Sequence, residues 1–592
     1  MHYGTMLKRS LYGFVIIVAI LIGLLSFKMV NVVPTDTLES TFSSKNSASH
    51  IKAISQIPHP MGTTENEQVR DYIIDELTKL GITAEIQPTQ VPAYYVMIGE
   101  PEILVDIYNI FAIIPGTNPT GSIALVGHYD TVPATSGAND DGSAVATLLE
   151  TARCLLAGPP LMNDVLLVFT DAEEPGQYRY GARYFVDNYE NIDDIKLVLN
   201  FEALGRSGPS IMFETTPGNE LLIKGLSKAT TNPIAFSFMS DLYKLVGKGG
   251  TDLIAFEEYG IRGMDFVYPF ERTIYHTALD NSDNLDERSL QHHGNYAVDI
   301  TRYFGKRDLN ELASAEHGDY VFHSFFGNTL LYYPQSLVNP LVIISGVLLI
   351  ILIIAGIRRK MLTHGGVLLS TLIFTAELLI IVVIATLAWW GLDEVHLAFG
   401  VVVEPTIKAH LFFAAFLILS FIAMVLFRKL TEKRISDLNR SLGPIVFWWL
   451  VTLLFGLYLP GFSIIMVFPL LFSMVPLVMI LFARNGISSW KYLVLTSIST
   501  FVIIGITIAP VYLLFQAMGV SSPGFSGSPS FPILGLSMVF WVMLVSLLLP
   551  QLRIFGDIGQ KRIVYSILSI AFIILITGVL LPGINVETLW IY

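Results

Sequence analysis

Ala124–Gly142 reads ALVGHYDTVPATSGANDDG, and the order of residue types in this stretch decides the fold. It opens as a short apolar run of strand type, then breaks at Gly127 into a polar loop carrying His128, Asp130, Asp140 and Asp141. Ser143–Leu156 follows with helical spacing. A buried strand that delivers a histidine and several carboxylates to its C-terminal end is how open α/β sheets build their sites. Histidine and carboxylate together are also a donor set suited to zinc.

Outward from this stretch, strand-like and helical runs alternate. Ile103–Ile114, Ile123–Val126, Val165–Thr170, Leu197–Phe201, Ile211–Glu214 and Gly263–Val267 read as strands. Ser143–Leu156, Glu220–Lys228, Asp252–Tyr259 and Arg288–Tyr303 read as helices. The alternation predicts a three-layer α/β domain on a mostly parallel mixed sheet. Ahead of it, Thr63–Leu80 has an amphipathic stripe of Val69, Ile73, Leu77 and Leu80. Thr64 and Glu67 stand at capping-box spacing, and Gly81 suits the stop.

Composition divides the chain in two. Its 592 residues are 53% hydrophobic with a net charge of −13, and mean hydropathy is +0.59. From Pro34 to Ser336 there are 41 acidic against 19 basic residues, so the remainder is net basic. Leu11–Val33 is apolar apart from Lys28 and is preceded by Lys8 and Arg9, which predicts a retained signal anchor with its N-terminus in the cytosol. Eight further apolar stretches follow: Leu337–Ile357, Val367–Trp390, Leu411–Phe427, Pro444–Leu459, Ile464–Phe482, Leu493–Met518, Pro532–Leu549 and Ile563–Leu581. Most reach the ~20 residues needed to cross a bilayer.

Basic residues collect in alternate loops, at Arg358–Lys360, Arg428–Arg440, Arg484 with Lys491, and Arg553 with Lys561 and Arg562, and only Lys408 breaks the pattern. This predicts nine spans with the C-terminus outside. The expected organisation is a cytosolic N-terminus and anchor over 1–33, an extracytosolic catalytic domain over 34–310, an interfacial linker or last strand over 311–336, and an all-α multi-pass transmembrane domain of eight helices over 337–592. Glu377 falls inside the second C-terminal stretch. An acid there marks a functional site, or a protonated carboxyl bonded to a neighbouring helix.

Some classes are excluded or disfavoured. No stretch forms the basic face of a nucleic-acid binder. Cys154 is the only cysteine, so there is no intrachain disulfide and no thiolate metal cluster, and a buried inert thiol is expected on the helix after the opening motif. The 34–336 stretch lacks an N-x-S/T sequon, which favours a bacterial cell membrane over a eukaryotic secretory one.

Three more segments complete the opening motif. Val165–Thr170 runs into Asp171-Ala172-Glu173-Glu174-Pro175-Gly176, Leu197–Phe201 runs into Glu202, and Ile274-Tyr275-His276-Thr277 precedes Asp280. A two-metal hydrolytic site needs a bridging carboxylate, a histidine and a carboxylate for each ion, and one further carboxylate as base. His128, Asp140, Glu174, Glu202 and His276 supply five metal ligands, with Glu173 left as base. Asp130 is placed to hold the other nitrogen of His128.

GHYDTVP, GANDDGSA, DAEEPG, NFEALG and YHTALD, in this order, resemble the successive motifs of metallopeptidase family twenty-eight, the di-zinc aminopeptidase family. PHPMGTTENEQVRDYI resembles its N-terminal helix, and the likeness covers roughly Ser49–Phe304. The layout is similar to the membrane-anchored branch that includes endoplasmic reticulum metallopeptidases and fungal vacuolar membrane proteases.

The resemblance implies two Zn2+ ions. One is held by His128 and Glu202 and the other by Glu174 and His276, with Asp140 bridging and Glu173 as general base. It implies a membrane-bound peptidase acting on peptide substrates outside the cytosol, most relatives being aminopeptidases. Soluble members commonly have aspartate where this chain has Glu202. The family also holds single-zinc glutaminyl cyclases and non-enzymatic members that have lost ligands. Here all five ligand positions and the base are filled.

Overall fold

The computed structural model describes residues 2–93, 103–174, 178–246, 250–313, 317–399, 401–402, 407–482, 490–518, 531–552, 561–582 and 584–585. Pro175 and Gly176 of the third motif, and Arg484 and Arg553 of the basic loops, lie outside them. The chain divides into two compact units. One is Phe27–Pro334, and the other combines Met1–Ser26 with the apolar helices after Gln335.

Helix α1 (His2–Leu24) belongs to the second unit. The first unit runs α2 (Ser44–Ile54), α3 (Thr64–Lys79), β1 (Ala84–Pro92), β2 (Leu104–Ile114), β3 (Ser122–His128), α4 (Gly142–Leu156), β4 (Asp164–Thr170), α5 (Tyr180–Asn188), β5 (Ile195–Ala203), β6 (Ile211–Thr215), α6 (Glu220–Ala229), α7 (Ser237–Val246), α8 (Leu253–Glu258), β7 (Arg262–Tyr268), α9 (Glu287–Phe304), β8 (Tyr320–Phe325) and β9 (Thr329–Pro334).

Seven strands form one sheet in the order β1-β2-β4-β3-β5-β7-β6. The central four are parallel, whereas β1, β2 and β6 join antiparallel. Ile123 and Leu125 of β3 pack with α3, α4, α6 and α9 on one face. Ala124 and Val126 pack with α5 and α8 on the other. A sheet covered on both faces needs apolar residues at every position, hence the unbroken runs in β3, β4 and β5. Because β4 and β5 flank β3 on opposite sides, the C-terminal end of β3 lies at a reversal of strand order, where such sheets bind ligands.

Several local expectations change. The α3 cap is Thr63, whose hydroxyl accepts from the Asn66 amide, and not Thr64. With the cap at Thr63, Asn66 and not Glu67 holds the third helical position, so the Thr64–Glu67 box is not made. Helices α2, α5 and α7 and strand β1 add to the expected elements. The 311–336 stretch, expected as an interfacial linker or last strand, contributes strands to the first unit. Its described residues include β8–β9, a hairpin forming a sheet of its own.

The apolar run expected as an anchor to Val33 outlasts its helix. Phe27 packs against Phe236 and Phe270, and the Val33 amide donates to Gln291 Oε1. The end of that run is therefore core of the first unit.

In the second unit, α10 (Val338–Arg358), α11 (His364–Ala398), α12 (Ile407–Thr431), α13 (Asp437–Tyr458), α14 (Ser463–Phe482), α15 (Trp490–Met518), α16 (Phe531–Leu548) and α17 (Lys561–Leu580) follow. Among the described residues eight helices are long and apolar enough to cross a membrane, and Gly535–Leu548 in α16 forms a shorter apolar one. Ile343, Ile350 and Ile354 on α10 and Leu372, Leu379 and Val383 on α11 stay exposed, an apolar surface that a bilayer would cover.

Candidate metal centre

Gly127 sets up the site. A Cβ there would come within 2.4 Å of the Ala144 Cβ, so only glycine lets the start of α4 close over the end of β3. His128 is the last residue of that strand and is buried. Its Nδ1 donates to the Asp130 carbonyl oxygen (3.0 Å). This fixes the tautomer and leaves Nε2 as a lone-pair donor. Nε2 lies 3.5 Å from Asp140 Oδ1 and 3.8 Å from Glu202 Oε2.

His276, in the loop after β7, brings its Nε2 to 3.2 Å from both Asp140 Oδ2 and Glu174 Oε2. Asp140 thus stands between two imidazoles with one oxygen toward each. Asp140 Oδ2, Glu174 Oε1 and His276 Nε2 are buried without a hydrogen-bond partner among the described residues. Groups that approach this closely without hydrogen-bond geometry are oriented as ligands of a cation. Ligand atoms of His128, Asp140 and Glu174 lie within 4.8 Å of one another, as do those of His128, Asp141 and Glu202.

Asp141 therefore has more than the helix-start role that its position suggests. Its Oδ1 accepts from the Ala144 amide as the α4 N-cap, while its Oδ2 is a buried orphan beside the Glu202 group. The Asp140–Asp141 peptide bond is cis.

Glu173 sits beside Glu174 where the loop after β4 turns, and Arg179 Nε lies 3.6 Å from its Oε1. Asp130 accepts the amides of both acids, Glu173 on Oδ1 (3.0 Å) and Glu174 on Oδ2 (3.2 Å). It also lies 3.4 Å from His128 Nδ1, so one carboxylate ties the β3 loop to the β4 loop. Asp171 pins the same loop, accepting from Tyr129 Oη and the Tyr108 amide.

Two residues to which sequence reasoning gave no role support the ligands. Asp280 accepts from the Asn139 amide (2.7 Å), the Asn139 side chain (2.8 Å) and the Asp140 amide (3.1 Å). Asn200 donates to Glu202 Oε1 (3.3 Å) and Asp265 Oδ1 (3.1 Å). Their sequence signals, one acid after YHTAL and one Asn before FE, are too common to read. Nearby, Tyr275 stacks on His276 at 3.8 Å, and Tyr243 packs edge-on against Phe213.

The electrostatics ask for added positive charge. Burial raises Glu173 and Glu202 well above the carboxylate range and Glu174 to about 7. Burial works against the His128 and His276 cations, but the carboxylates outweigh it. Asp130 and Asp140 hold His128 well above its usual range, and Glu174 and Asp140 bring His276 to about 10. Burial likewise opposes Asp140 ionisation, yet the two imidazoles hold it low. Five buried acids around two imidazoles form a centre that divalent cations would neutralise, and the donor set of two histidines with carboxylates fits zinc.

Residues 109–301, which hold every one of these groups, match peptidase family M28. That match covers about a third of the chain and lies within the first unit. Among curated proteins it is similar to the vacuolar membrane protease of Candida dubliniensis, at 29% identity over 350 residues, covering 58% of this chain and 36% of that protein. It is also similar to endoplasmic reticulum metallopeptidase 1 of Rattus norvegicus, at 26% identity over 335 residues, covering 53% and 37%. The matched regions span little more than a third of these relatives. Among solved structures, an aminopeptidase from Aneurinibacillus sp. strain AM-1 is 15% identical with a TM-score of 0.38, covering 45% of this chain and 95% of that one.

Proposed function

We propose that this M28 chain is a membrane-bound zinc-dependent peptidase with its catalytic unit outside the cytosol, acting as an aminopeptidase. The observation that carries the reading is the Asp140 carboxylate between His128 and His276, with Glu174, Glu202 and Glu173 on the same rim. His128 with Glu202 would hold one Zn2+ and His276 with Glu174 the other, Asp140 serving both. Bound there, zinc supplies Lewis acidity that polarises a scissile carbonyl and acidifies water.

Glu173 then takes the proton of the attacking water and passes it to the departing amine. Asp130 keeps this base and His128 in register through the amides and imidazole it holds. The names of the reported relatives point to vacuolar and endoplasmic reticulum membranes, which weighs against the bacterial membrane favoured by the missing sequons.

The test is full-length protein in detergent, assayed on matched free and N-blocked peptides with and without a zinc chelator, alongside a metal count by mass spectrometry. Cleavage of free peptides only, lost on chelation and restored by zinc, with two ions per chain, is the expected result. A single ion with N-terminal cyclisation would instead assign a glutaminyl-cyclase-like acyltransferase. Chelator-insensitive cleavage would remove the metallopeptidase reading.

A further inference from the structure

The second unit contains a partly open cavity between α11, α12, α13 and α16, remote in sequence from the M28 domain. Its wall joins polar and apolar groups, among them Ser370, Phe374, Glu377, Arg428, Arg440 and Ser546. Glu377 is only 9% exposed, and its Oε1 has no hydrogen-bond partner among the described residues. The bond to a neighbouring helix that would make this acid merely structural is therefore not made at that atom.

The two arginines are engaged. Arg440 reaches Asp437 Oδ1 (3.3 Å) and donates to the Ile435 carbonyl (2.7 Å), and Arg428 lies 3.6 Å from the same Asp437 oxygen. Both guanidiniums approach the Asp437 carboxylate where α12 and α13 meet, while the Glu377 carboxyl lines the cavity from α11. A simple anion would meet Glu377, and a metal cation would meet two arginines. A molecule with a positive, hydrogen-bond-donating end and an oxyanion end satisfies both.

We propose that this cavity binds a zwitterion, its primary ammonium on Glu377 and its phosphate or carboxylate on Arg428 and Arg440. Either a phosphatidylethanolamine headgroup or a free amino acid supplies that chemistry.

The experiment is thermal unfolding and native mass spectrometry of delipidated full-length protein with short-chain phosphatidylethanolamine, short-chain phosphatidylcholine, leucine or inorganic phosphate. Binding and stabilisation by phosphatidylethanolamine but not leucine assign a lipid headgroup, and the reverse assigns a free zwitterion. Either outcome supports the proposal, provided phosphatidylcholine, which has no N–H donors, binds at least about tenfold more weakly than phosphatidylethanolamine in the lipid case. Glu377→Gln is expected to weaken the successful ligand by at least about tenfold. Equal binding of the two lipids, binding of phosphate alone, unchanged affinity in Glu377→Gln, or no binding by any probe overturns it. The lipid comparison on the wild type decides the matter even where the variant does not fold, and leucine binding counts as support only where removing zinc from the proposed peptidase centre leaves it unchanged.

Discussion

At the scale of single side chains, the proposed roles separate under substitution. Glu173→Gln keeps the shape of the base but removes its proton affinity. Hydrolysis should fall by about 10²–10⁴-fold with metal content unchanged, which activity measured beside elemental analysis will show. Asn200→Ala leaves the five ligands in place and removes the donor that orients Glu202. Zinc affinity should drop by about 10–100-fold, read by competition with a chromogenic chelator, while saturating zinc restores most of the activity. Unchanged affinity would mean that β5 alone positions Glu202. The residue types proposed as ligands and their order were legible in the sequence, most directly at His128, Glu174 and Glu202, which close or follow apolar strand runs. Asn200 and Asp280 were not, because their roles exist only through partners distant in sequence.

At the scale of elements, β6 and β7 place Glu214 opposite Asp265 in register. Burial, then its neighbour's charge, brings Glu214 to about 8, and burial brings Asp265 to about 7. An acid whose folded pKa lies above its unfolded value favours the folded state at low pH. That contribution is complete below the unfolded pKa near 4.5 and is lost as pH rises toward 8. The M28 unit of the wild type should therefore lose stability between pH 5 and pH 8, by about 1–3 kcal/mol more than Glu214→Gln. Thermal unfolding at the two pH values checks this, and parallel behaviour of the two proteins would contradict it. Strand β3 and helix α4 meet through Gly127. Gly127→Val should cost about 1–3 kcal/mol or more by overpacking and reduce metal binding, since the same backbone carries His128 and Asp141.

For the whole molecule, the proposed topology rests on the basic loops. The single native cysteine is a clean background for testing this, because Cys154 is buried against Phe42 and Val298 and its thiol is pushed up to about 12 by burial. Cysteines introduced at the exposed Lys45 and Lys433 should react with a membrane-impermeant maleimide from opposite sides of sealed vesicles, Lys45→Cys from the extracytosolic side. Labelling of both from one side would overturn the proposed topology.

Sequence alone determined the α/β class of the first unit, its apolar parallel strands and the histidine and carboxylate types of the proposed metal site, because burial on both sheet faces and zinc chemistry each restrict residue type locally. It also determined the apolar stretches, since crossing hydrocarbon demands about 20 apolar residues in a row. Only the tertiary structure decided that Asp140 stands between the two imidazoles, that Asp141 faces Glu202 as well as capping α4, and that Asp280 and Asn200 hold the ligands. It also placed Glu377 in a cavity with Arg428 and Arg440. These are relations between residues far apart in the chain, and no local pattern encodes the packing of strands and helices that creates them.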